Sequence, residues 1–340
     1  MDKKRSISIK EIAKLANVSV ATVSRVINNN GRFSEATRQK VQGIIDKYGY
    51  TTNMAAKSLR MSKSKTVGLI VPNIDNEWFS QLVLEIEREF FEKNYSVFIC
   101  NTSQDEDKEI AYFKSLDSKL VDGIICISGR EDIPTNIITR DIPIVCIDRK
   151  PKDHTDVYYV ESNHYSGGYL ATEELIKKGC KKIAIVSRNK TLSVNKQRLE
   201  GYKQALKDHN LEQDKNLQLL LDISSANYEG AREAMNQFIK SGIEFDGVFA
   251  TNDWRAYGVM VALSENNISV PQDVKVIGFD DISISYACQP SLSTIHQDVE
   301  GLAKKATSLL LNLMNDKEIQ MDERRFILPV KVISRDSTKI

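Results

Sequence analysis

Several short apolar runs in this 340-residue sequence end in side chains suited to gripping a small polar molecule. TVGLIV (66–71) is followed by Asn73, Asp75, Asn76, Glu77, Trp78 and Phe79. IPIVCID (142–148) ends on Asp148 and Arg149, and DGVFAT (246–251) leads to Asn252, Asp253 and Trp254. VKVIGFD (274–280) ends on Asp280 and Asp281. Carboxylates, amides and arginine bridge adjacent hydroxyls, and aromatic faces cover C–H surfaces, which together is how sugars are held. Taken singly, each residue is also readable as a helix N-cap or loop position. Catalysis has no comparable footing. There is no G-x-G-x-x-G or P-loop string and no plausible Ser/His/Asp set. The four histidines (His154, His164, His209, His296) stand apart, without metal-ligand spacing. The five cysteines (Cys100, Cys126, Cys146, Cys180, Cys288) form no C-x-x-C pair and read as buried free thiols in a reducing, cytoplasmic setting.

The elements that position these residues are legible from periodicity. Eight β-like runs begin at 66, 95, 122, 142, 182, 217, 246 and 274, the others being YSVFIC, DGIICIS, KIAIVS and LQLLLDI. Amphipathic helices lie between them, such as Glu77 to Lys93, Ser166 to Lys178 and Glu229 to Lys240. Near-continuous apolar strands alternating with helices imply parallel sheets covered on both faces. Four runs, then four more, imply two similar α/β subdomains, with VDG (121–123) and FDG (245–247) as matching points. In such sheets ligands bind beyond the carboxyl ends of the strands, where the polar residues cluster.

The N-terminal stretch is different in kind. Its first 60 residues hold twelve bases against four acids, a net +8, so the near-neutral total of +1 hides a body at −7. That asymmetry makes a polyanion a candidate partner. No apolar run is long enough to cross a bilayer, and the polar start leads into no signal-peptide core, so a membrane is not expected. Ser8, with Glu11 three residues on, reads as a capping box opening a first helix (Ile9, Ile12, Ala13, Leu15, Ala16). Ser19 caps a second, Val20 to Asn28, stopped at Gly31; Ser34 caps a third carrying Val41, Ile44, Ile45 and Tyr48. The pattern fits a helix-turn-helix and equally a generic three-helix bundle with solvated charges.

The string itself is more specific. VSVATVSRVINNNGR (18–32), SEATRQKV (34–41) and YGYTTNMAAKSLR (48–60) closely resemble the headpiece and hinge of the lactose-repressor (LacI/GalR) family of bacterial transcription regulators. The resemblance implies a DNA-binding headpiece over 1–52, with the second helix in the major groove. Val20, Ala21 and Arg25 would face base edges, Arg25 forking onto guanine. Ser8, Ser19, Thr22, Ser24, Asn28, Ser34 and Thr37 would position phosphates. Residues 53–65 would be a hinge helix and linker that folds on the operator, Asn53 included, with Ala56 against its dimer mate and Leu59 wedged in the minor groove. A plain linker is the alternative there.

The body shares the resemblance, through VGLIVPNIDNEWFSQL (67–82), VDGIICIS (121–128), ESNHYSGGYLATEELIKKG (161–179), NKQRLEGYKQAL (195–206) and VPQDVKVIGFDDI (270–282). It implies a periplasmic-binding-protein-like core over 66–340, with one subdomain from 66–163 plus 297–325 and the other from 164–296 plus 326–340. The effector would sit between them, on Trp78 and Phe79 as aromatic floor, Asp148 and Arg149 at the rim, and Arg198, Asn252 and Asp280 as polar clamp, with Gln297 a secondary candidate beside them. Glu77-Trp78-Phe79 replaces the family's usual proline and two aromatics, and Ser162 replaces its usual Asp before Asn163. The expectation is therefore a homodimeric repressor of carbohydrate-utilisation genes on a near-palindromic operator, controlled by a sugar or sugar phosphate, with no cofactor or metal. The alternative is a catabolite-control-type regulator activated by a phosphocarrier protein corepressor.

Overall fold

The computed structural model describes residues 7–50, 63–127, 133, 137–149, 157–189, 193–222, 228–315 and 324–339; the expected hinge residues Asn53, Ala56 and Leu59 lie outside them. The chain divides into two compact units between Ser64 and Lys65.

Among its described residues the first unit has three helices, α1 (Ile9–Ala16), α2 (Val20–Ile27) and α3 (Glu35–Tyr48). Each opens on a serine in extended backbone whose hydroxyl accepts the amide three residues on: Ser8 from Glu11, Ser19 from Thr22 and Ser34 from Thr37. Such caps contribute about 1 kcal/mol each, and Glu11 reciprocates onto Ser8 to close a capping box. Asn17, at φ 54°, turns α1 into α2, and Gly31, at φ 86°, turns the chain within the loop after α2. Ile12, Ala13, Ala16, Val23, Val26 and Val41 form the core. Leu15 and Tyr48, on the expected apolar faces, are instead 50% and 39% exposed.

The second unit carries two parallel sheets. The first runs β11-β5-β4-β3-β1-β2: β1 (Thr66–Val71), β2 (Ser96–Asn101), β3 (Gly123–Ile127), β4 (Ile144–Ile147), β5 (Tyr158–Ser162) and β11 (Arg325–Leu328). Alternate residues face opposite layers, as the strand period requires. Val67, Leu69, Val71, Ile125 and Val145 meet helices α4 (Glu77–Glu92) and α11 (Val299–Leu313). Ile70, Cys100, Cys126 and Cys146 meet α5 (Glu106–Ser118) through Phe113 and Leu116. The second sheet runs β7-β6-β8-β9: β6 (Ile183–Arg188), β7 (Gln218–Leu221), β8 (Gly247–Ala250) and β9 (Lys275–Ile277). Around it pack α6 (His164–Lys177), α7 (Ser193–Asp208), α8 (Tyr228–Lys240) and α9 (Asp253–Glu265); the short α10 (Ile284–Ala287) follows β9. An antiparallel pair, β10 (Thr294–Gln297) with β12 (Val330–Ile333), abuts this half.

All eight anticipated runs form strands, while β5, β10, β11 and β12 are additions. Among the described residues the chain crosses between the two halves three times, after β5, after β10 and after β11. Because β11 pairs with β5 through Leu328, the last crossing follows Leu328 rather than residue 325. All five cysteines are buried and free, and burial pushes the Cys146 thiol up to about 12. Among the described residues, no helix is long and apolar enough to cross a membrane.

Candidate nucleic-acid interface and ligand cleft

Helical periodicity puts Val23 and Val26 inside the first unit and leaves Val20 (40% exposed), Ala21 and Arg25 outside. Two small side chains and one long fork therefore share one exposed face of α2. Arg25 lies beside Gly31, where an added Cβ would come 3.2 Å from Arg25 Cδ, so the glycine leaves room for the arginine stem. The expected phosphate-positioning hydroxyls have local work. Ser19 and Thr22 oxygens are 2.9 Å apart, and those of Ser34 and Thr37 are 2.8 Å apart. Ser8 donates to the Glu11 carboxylate at 2.8 Å, an acidic neighbour that disfavours a phosphate there. The Asn28 amide donates back to the Ser24 carbonyl at 2.7 Å, closing α2. Arg25→Ala is expected to cost about 1–3 kcal/mol at one operator position and to relax specificity there. Competition binding with single-base operator variants checks this, and an equal loss on all sequences contradicts it.

In the second unit, a buried polar chain joins the two subdomains. Asp148, at the end of β4, adopts φ 51° and accepts the Ser162 amide at 3.1 Å. The same oxygen lies 2.8 Å from His164 Nε2. His164, at the start of α6 and fully buried, faces Arg198 with its other nitrogen, 3.3 Å from Nε and 3.2 Å from Nη2. A guanidinium only donates, so Nδ1 must be the acceptor and Nε2–H donates to Asp148. Arg198 Nη1 donates to the Thr251 carbonyl at 2.6 Å, and its plane lies 3.6 Å from the Phe279 ring centroid. Asp280 stands 3.7 Å from Arg198 Nη2 and accepts from Gln297 Nε2 at 2.8 Å. Burial pushes the Asp280 carboxyl up to about 6, against the pull of Arg198 and Arg255. Burial, with Arg198 nearby, pushes Arg255 down to about 10. Asp253, fully buried, is held well above the usual carboxylate range by burial and by Asp280, while bonded to Thr294 and the Ile282 amide.

Asp148, Arg198, Asp280 and Gln297 are thus brought together. Others depart from expectation. Arg149 is not at a rim: it is 3% exposed and donates to Glu109 on α5 at 2.8 Å, because adjacent residues at a strand end point to opposite layers. Trp78 is 4% exposed within the first subdomain's core, edge-on to the partly buried Phe79 at 5.2 Å, so it is no open floor. Asn252 caps α9, its side-chain oxygen accepting the Arg255 amide at 2.8 Å. Trp254 is 36% exposed beside Tyr257.

Residues not anticipated are His164, Thr251, Arg255, Arg188 and, as bridges between subdomains, Glu77 and Gln104. Ser283 donates its amide to Glu77 at 3.0 Å, and Arg188 Nη2 donates to Gln104 Oε1 at 2.7 Å. The one available signal for His164 was the Gly167-Gly168 pair beyond it, marking a close helix contact. An added Cβ at Gly168 would come 2.1 Å from the Arg198 carbonyl oxygen.

The profile of bacterial regulatory proteins of the lacI family matches residues 8–53, and that of a periplasmic binding protein-like domain matches 172–338. The ribose operon repressor of Escherichia coli (strain K12) is 33% identical, over 95% of this chain and 97% of that protein. The lac repressor dimer bound to operator and the anti-inducer ONPF is 25% identical with a TM-score of 0.84, covering 98% of this chain and 99% of that one. The transcriptional regulator CelR in its cellobiose complex is 25% identical with a TM-score of 0.73, covering 97% and 99%.

Proposed function

Because this chain belongs to the lacI family of bacterial regulatory proteins and is a DNA-binding transcriptional repressor, we propose that a sugar-like effector between its core subdomains sets its operator affinity. One observation carries the reading. Gln297 Oε1 is buried and, among the described residues, has no hydrogen-bond partner, although Gln297 sits in the polar chain linking the two subdomains. A buried acceptor left open costs on the order of 1–3 kcal/mol. A ligand hydroxyl would satisfy it. Asp280, Arg198 and Asp148 beside it suit a polyol, whose adjacent hydroxyls take bridging carboxylates and guanidinium donors. The similarity to a regulator solved with cellobiose supports the same class.

Arg198 and Asp280 belong to one subdomain and Asp148 to the other, so a ligand touching all three favours one degree of closure. It shifts operator affinity only through its difference in affinity between the two closure states. On DNA, a two-fold dimer requires a near-palindromic site, and the twelve basic residues of the first 60 supply phosphate contacts that make binding steeply salt-dependent.

The test is a thermal-shift screen of the full chain against neutral sugars and sugar phosphates, repeated with operator DNA. At least one compound should raise the melting temperature and change operator affinity. Operator binding that ignores every sugar but strengthens with a phosphocarrier protein would replace this reading with corepressor control.

A further inference from the structure

The cleft carries a positive charge that a neutral polyol does not need. Asp148 and Asp280 both serve Arg198, one through His164 and one directly, and Arg149 is matched by Glu109. Arg188, at the carboxyl end of β6, is different. Its Nη2 reaches across to a neutral amide, Gln104 Oε1, at 2.7 Å. Its Nε is buried and has no hydrogen-bond partner among the described residues. Arg255 stands nearby with Nη1 on the Thr251 hydroxyl at 3.1 Å. Burial holds Arg188 below the usual arginine range, and Arg188 in turn adds to the depression of Arg255. Asp280 is the nearby counter-charge to Arg198 and Arg255, whereas the partly dehydrated guanidinium of Arg188 meets only a neutral acceptor, an unfavourable arrangement until an anion joins it.

Resting on the reading of this cleft as the effector site, we propose that the effector is an acid, a sugar bearing a carboxylate or phosphate group, and that Arg188 binds that group. The guanidinium fork matches either oxyanion with two parallel hydrogen bonds, one of them from the open Nε. The link to Gln104 then marks the position the anion takes: Arg188 exchanges a neutral acceptor for a charged one, so that binding remakes a contact between the subdomains.

Isothermal titration of the full chain tests this with glucose and ribose, with gluconate and ribonate, and with glucose 6-phosphate and ribose 5-phosphate. An acid should bind about tenfold or more tightly than its neutral parent, since hydrogen bonds to charged groups are the stronger class. The carboxylate and phosphate arms identify which anion is used. Arg188→Gln keeps hydrogen-bonding capacity without the charge and should abolish the preference, bringing the acid's affinity down to that of its parent sugar. Neutral sugars binding as well as their acids, a preference intact in Arg188→Gln, or binding by none of the four acids overturns the proposal. If Arg188 were only a strap to Gln104, the variant would change acid and parent affinities by the same factor, which also overturns it. Arg198→Met separates the two levels: a compound whose affinity it leaves intact binds outside the cleft, and the effector-site reading itself then fails.

Discussion

Asp280→Asn is expected to abolish the effector response and yet raise the melting temperature of the ligand-free protein at pH 7. The folded chain holds the Asp280 proton up to about pH 6, whereas the ordinary value is 3.8. Between those values the folded state binds more protons than the unfolded one, so stability falls as pH rises through the window. Holding the proton up to about pH 6 corresponds to about 3 kcal/mol of lost stability, complete above pH 6 and absent below pH 4. Asparagine keeps the shape and an acceptor for Gln297 without the buried charge. The gain should therefore appear in melts at pH 7.5 and vanish towards pH 4. A variant no more stable than the parent at pH 7.5 contradicts it. The response is lost because the ionised carboxylate is the strong acceptor for ligand hydroxyls and the counter-charge to Arg198. The carboxylate is thus held for recognition at the expense of stability.

Gly168→Ala should produce the largest loss. α6 and α7 touch through glycines: a Cβ at Gly168 would come 2.1 Å from the Arg198 carbonyl oxygen, and one at Gly201 would come 2.1 Å from that of Tyr165. Both obstructions are backbone, so no side chain can swing away and the helices must separate. Overpacking of this kind costs about 3 kcal/mol or more. The obstructed residue is Arg198 itself, so effector binding should fail together with stability. Gly43→Ala, in α3 with nothing within 4 Å of the new methyl, is the control, and helix propensity makes it stabilising by up to about 1 kcal/mol. Urea denaturation of both variants checks the pair; Gly168→Ala with parental stability would show that the helices are free to move apart.

What could be read in advance follows from which forces are local. The first-sheet runs around Val67–Val71 and Gly123–Ile127 are buried almost throughout, and a continuous apolar string records that directly. β5, with Glu161 and Ser162 at its end, and β11, half-exposed at the sheet edge, carry no such record; their pairing partner fixes them. The serine caps of the headpiece were legible because a cap acts within three residues. In the cleft, strand-end position identified Asp148 and Asp280. It could not show that Arg149 turns to Glu109, forty residues away in sequence. Nor could it show His164, whose partners lie 16 and 34 residues away and give a single histidine no neighbourhood pattern.

The three crossings also constrain how the chain is made. β5 gains its neighbour β11 only from residues 325–328, and the face of the first sheet under Leu302, Ala303, Ala306, Leu309 and Leu310 is covered only by α11. As the polypeptide leaves the ribosome, the earlier subdomain therefore waits, with one edge unpaired and one apolar layer open, until the later one has been synthesised almost entirely. The later subdomain waits as well, for β12 and for Ser337, whose hydroxyl donates to the Val276 carbonyl. A polypeptide interrupted anywhere between Gln297 and Leu328 presents a sticky half-sheet rather than a finished module.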